Sequence, residues 1–61
     1  MSYYIIETKN GSIAVDGIFT ADQVYRKMKN AGQFATIPRP ADPNDLVHRM
    51  AVFRLENRQE Q

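Results

Sequence analysis

Residues 3–19 carry a strand-like pattern: Tyr3 to Thr8 is rich in aromatic and β-branched residues, and Ser12 to Phe19 resumes that pattern beyond Asn10-Gly11. Asn-Gly is a strong hairpin signal, because both residues tolerate the positive φ that a two-residue type I′ turn requires. A hairpin over 3–19 is therefore predicted. Closing it at Asn10-Gly11 sets Lys9 opposite Ser12, Thr8 opposite Ile13, Ile6 opposite Val15 and Tyr4 opposite Gly17. Side chains alternate across a strand, so one face carries Tyr4, Ile6, Ile13 and Val15, with Phe19 beyond them, and is the natural core face. The other carries Glu7, Lys9, Ser12, Ala14 and Asp16, but also Tyr3, Ile5 and Ile18. Gly17, within the second strand, marks a candidate bulge.

Thr20-Ala21-Asp22-Gln23 has the form of a capping box, with Phe19 and Val24 at staple positions around it. Ala21, Val24, Tyr25, Met28 and Ala31 then follow one stripe at helical spacing, while Asp22, Arg26, Lys29 and Asn30 point away. Gly32 stands where a left-handed C-cap is wanted. A helix over 20–31 is expected, with its apolar stripe on the hairpin and a basic outer surface.

Phe34 to Ile37 suits a short strand, and Pro38, Pro40 and Pro43 make 38–45 a loop, since proline cannot feed a central ladder. Asp42-Pro43-Asn44-Asp45 resembles a helix start, with Asp42 as N-cap. Leu46, Met50 and Phe53 would share a helical face, but Val52 and Leu55 would fall opposite them. Strand periodicity instead sets Ala51, Phe53 and Leu55 against Val52, Arg54 and Glu56. A turn at 43–46 and a strand over 47–56 is the preferred reading, and a second helix is the alternative. Residues 57–61 are polar and expected to fray. The expected architecture is one small α+β domain over 1–61, ββαββ, an antiparallel sheet with one helix on one face; ββαβα is the alternative.

Composition limits what such a domain can do. Sixty-one residues, 43% hydrophobic, provide one core only. A chain of this size hides only about 60% of its unfolded surface, so any large covered patch matters to its stability. With no Cys and one His, neither a disulfide nor a thiolate metal site is available, and no metal or cofactor is expected. The longest apolar runs, Tyr3 to Ile6 and Met50 to Phe53, fall far short of the roughly 20 residues of a membrane span. No basic and apolar leader opens the chain, so a cytoplasmic location is expected.

The net charge of +1 hides an uneven distribution. Up to Tyr25, Lys9 faces Glu7, Asp16 and Asp22, a sum of -2. From Arg26 to Arg58, Arg26, Lys27, Lys29, Arg39, Arg49, Arg54 and Arg58 face Asp42, Asp45 and Glu56, a sum of +4. Arginine predominates among these cations, and its fork suits carboxylate or phosphate. Basic runs usually form only a solvated face.

Enzyme chemistry has little to stand on. His48 is the one side chain that ordinarily titrates near neutrality, yet no spacing sets a hydroxyl against it. Asp42 and Asp45 are explained by helix capping. Gly11, Gly17 and Gly32 form no phosphate-cradling loop, and no small-molecule substrate is indicated. The trio Tyr3, Ile5 and Ile18 is more informative, because apolar residues clustered on a nominal solvent face imply a cover. That cover is either the terminal segment folded beneath the hairpin, a second copy docked through the sheet, or a partner. Arg39, held between two prolines, loses little entropy on contact and suits a binding loop. The expected function is a non-enzymatic protein-binding module, a small regulator, inhibitor or accessory protein such as bacteriophages also encode. It would dock on a larger protein through Tyr3, Ile5, Ile18, Arg26, Lys29 and Arg39. The alternative is a small nucleic-acid-binding protein using the basic second half.

Overall fold

A computed structural model describes residues 2–59. Strands Tyr3–Thr8 (β1) and Gly11–Asp16 (β2) pair antiparallel as the apolar pattern requires, but two residues out of the expected register: Tyr4 faces Val15, Ile6 faces Ile13 and Thr8 faces Gly11. The reversal is made by Lys9-Asn10. Gly11 carries the positive φ, at 117°, and no described non-glycine residue has one, so the expected type I′ turn on Asn10 is absent. The Thr8 hydroxyl holds this turn, donating to the Gly11 carbonyl at 2.8 Å and accepting from the Asn10 amide at 3.1 Å. A slip of two leaves every side chain on its expected face, so Tyr4, Ile6, Ile13 and Val15 still share one.

Gly17 ends β2 rather than bulging within it. Its amide donates to Ser2 O at 2.8 Å, and its φ of 90° turns the chain into a helix, Ile18–Asn30 (α1), that starts two residues before the expected capping box. The Ala21 amide already donates to Gly17 O at 3.0 Å, so Thr20 lies inside the first turn and caps nothing. Phe19 consequently points away from the core, 85% exposed. The other end is as expected: Gly32 has φ 74°, Gln33 N donates to Met28 O at 2.8 Å and Gly32 N to Lys29 O at 3.0 Å, the paired bonds of a Schellman motif. α1 lays Ala21, Val24, Tyr25 and Met28 over Ile6 and Val15, and Ala35 closes the cluster.

Beyond α1 the chain runs back along the free edge of β1. The expected strand over 34–37 is reduced to a bridge between Ala35 and Thr8, with Thr36 N donating to Glu7 O at 3.1 Å. The paired strand, Arg39–Pro40 (β3), falls instead inside the predicted proline loop, opposite Ile5 and Tyr4. Proline is tolerated there because β3 is an edge, and the sheet order is β2-β1-β3.

Residues 46–56 are helical, correcting the preferred strand: Leu46–Gln59 forms α2. The expected fraying over 57–61 does not begin at 57, and Glu60 and Gln61 lie outside the described residues. Asp45, not Asp42, is the N-cap, its Oδ1 accepting from the amides of Val47 at 2.8 Å and His48 at 3.2 Å. Asp42 makes the turn before it, accepting from Asn44 N at 2.9 Å. α2 covers the sheet face that α1 leaves bare. Ala51, 2% exposed, lets it approach closely, with Val52 and Leu55 half-buried beside it. The α+β class holds, in the ββαβα order, as a thin sheet between two helices. None of the described helices is long and apolar enough to cross a membrane.

Candidate interaction surface

The trio Tyr3, Ile5 and Ile18 does not form one surface. Ile5 is 3% exposed beneath α2, so the chain supplies its own cover there. Tyr3 is half-buried at the margin of that layer, and Ile18, at 48% exposure, opens α1. Arg39, the cross-strand neighbour of Ile5, stays exposed on β3. Arg26 and Lys29 are exposed on α1, across the sheet from Arg39. Arg26 is tied to Asp22 at 2.9 Å, a pair one turn apart. Lys27 and Lys29 occupy the last turn of α1, where cations suit the helix dipole without any ligand.

The Tyr3 hydroxyl donates to Glu56 Oε2 at 3.0 Å, joining β1 to the end of α2. That hydrogen bond, with burial and the negative charges of Glu56 and Asp16, raises the phenol above its ordinary pKa of 10.0. The folded chain thus holds the phenolic proton more tightly than the unfolded one. The stabilisation is complete below pH of about 10 and is lost as pH rises through the folded value. Urea unfolding at several alkaline pH values is expected to show a decline that is shallower in Tyr3→Phe.

His48 makes a structural contact. Its Nδ1 accepts from Asp42 N at 3.0 Å, which places the ring proton on Nε2, 3.8 Å from Asp45 Oδ2. The imidazole thus latches the proline-rich segment to the first turn of α2. Among the described residues no three His, Asp or Glu side chains gather where they could hold a metal ion.

The surface that sequence reasoning underrated is the outer side of α2. Leu46, Met50 and Phe53 recur at i, i+4 and i+7 and are 67%, 53% and 63% exposed, with Val47 beside them. They lie opposite the side that Ala51 and Leu55 turn to the sheet. Their shared helical face is legible in the sequence, but apolar residues fall all round this helix, and that mimics strand alternation. Arg54 borders the stripe and donates from Nη2 to Ser12 O at 3.2 Å, occupying a carbonyl of edge strand β2.

No protein-family model matches the chain, and neither a curated protein nor a solved structure is found similar to it.

Proposed function

We propose that the chain is a non-enzymatic protein-binding module that acts by docking on a larger protein, as a small regulator, inhibitor or accessory subunit. One observation carries this: α2 fills one side with the sheet contact and still presents Leu46, Met50 and Phe53 to solvent on the other. A helix that only completed the core would be polar there. Ordered apolar anchors at i, i+4 and i+7 are the pattern by which helices seat in grooves. Covering these half-exposed side chains contributes about 1 kcal/mol each, enough to matter to association but not to folding.

The test is a photo-crosslinking residue introduced at position 50 of the full chain in cells. A discrete protein adduct is expected from position 50 and not from position 27 on α1. Capture by an affinity-tagged chain should fall at least tenfold in Met50→Asp, whose circular dichroism stays native because the site is exposed. A partner retained in full by Met50→Asp would refute the assignment.

A further inference from the structure

The proline-rich segment over 38–43 is short of backbone donors. Pro38, Pro40 and Pro43 bring no amide hydrogen, so only the amides of Arg39, Ala41 and Asp42 can tie it down. Arg39 pairs with Ile5 in the two-residue β3 ladder, and the Ala41 amide donates to Tyr3 O at 2.9 Å. The Asp42 amide donates instead to a side chain, Nδ1 of His48, at 3.0 Å. Among the described residues this is the one hydrogen bond between the segment and α2. Its acceptor is the single side chain here that ordinarily changes charge near neutrality.

A ring nitrogen accepts only while it lacks a proton. The imidazolium carries a proton on both nitrogens and keeps no acceptor, so no flip of the ring could restore the bond. A second proton therefore sets N–H against N–H. The ring is 18% exposed, so it can be protonated without unfolding. In the first turn of α2 its positive charge meets the unfavourable end of the helix dipole. The charged groups around it pull toward one side. From its own turn, Asp45 Oδ2 lies 3.8 Å from Nε2, while Asp42 Oδ1 is taken by Asn44 N. Glu7 of β1 and Arg39 of β3 line the cleft on one side of the ring, and Arg49 and Glu56 of α2, with Tyr3 bonded to Glu56, line the cleft on the other. These outer groups offset one another, so the charged ring is drawn to Asp45 and leaves the Asp42 amide.

We infer that His48 is a pH-operated latch: with one ring proton it fastens the proline-rich segment to α2, and with two it releases residues 41–43 and opens the cleft that has Ile5 as its floor. Release follows a fall in pH below neutrality, where imidazole takes its second proton. The latch is independent of what docks on α2.

Nuclear magnetic resonance of the isotope-labelled full chain between about pH 8 and pH 5 tests this, following the His48 ring and the Asp42 amide together. As the ring titrates, exchange of the Asp42 amide, corrected for its intrinsic pH dependence, should rise about fivefold, the loss of one ordinary hydrogen bond. The Ala21 amide, bonded to Gly17 O, should stay protected. His48→Asn keeps an acceptor at the Nδ1 position without a titrating ring, and should hold the Asp42 amide throughout. His48→Phe should leave it released throughout. An Asp42 amide indifferent to titration of the ring, or a ring that stays neutral across the range, would overturn the inference. So would exchange at Ala21 rising in step with Asp42, which means that the whole chain unfolds, or a pH dependence that survives in His48→Asn, which assigns it to the carboxylates.

Discussion

Ile6→Asp is expected to abolish the fold, leaving an unfolded far-ultraviolet circular dichroism spectrum at 25 °C without denaturant. Ile6 is 0% exposed, and its neighbours are Val15, Ala21 and Ala35 under the α1 stripe, with no cation among them. An unpaired carboxylate in such a place costs several kcal/mol. A core of this size rarely supplies more than about 3–5 kcal/mol. The graded version, Ile6→Ala, should lower the urea-derived unfolding free energy by about 2–5 kcal/mol. A native, cooperative Ile6→Asp would mean that α1 does not close over β1 as described.

The second expectation sets Ile5 against Ile18. Ile5→Ala should destabilise by about 2–4 kcal/mol, because Ile5 is 3% exposed and α2 cannot settle into the space left. Ile18→Ala should cost less than about 1 kcal/mol, at a site 48% exposed in the first turn of α1. Equilibrium urea titrations of both variants decide it. Equal effects would mean that the far side of the sheet is as open as the near end of α1. The same contrast shows why Ile5 is unsuited to be a docking contact, whereas Met50 can be changed without cost to the core.

The first half of the fold was legible because its signals are local. Alternation fixes the faces of β1 and β2 even though the turn sets a register two residues from the one Asn10-Gly11 implies, and Gly32 announces the end of α1 by the one conformation it supplies cheaply. Structure and pattern part where two local signals compete. Asn10-Gly11 suggested a type I′ turn, but the Thr8 side chain and a positive φ at Gly11 alone satisfy the reversal one position earlier. Thr20 looked like a cap, but Gly17 can adopt the φ of 90° that starts the helix sooner. In 46–56, a helix that is apolar on both sides leaves no periodicity to distinguish it from a strand, and only the Asp45 cap geometry separates them. The exposed apolar surface follows from the same segment: with α2 helical, Ile5 is covered and the uncovered apolar positions on α2 are Leu46, Met50 and Phe53, with Val47.

The bond from Tyr3 to Glu56 spans 53 positions of the chain. β1, β2 and α1 draw on the first half of the chain alone, whereas one side of the sheet, with Ile5 at its centre, stays bare until α2 packs against it. Until α2 docks, the chain displays an apolar sheet face and an unguarded β2 edge. Exposed apolar surface and an unpaired strand edge are what make an incompletely folded chain prone to aggregate, and α2 removes both at once.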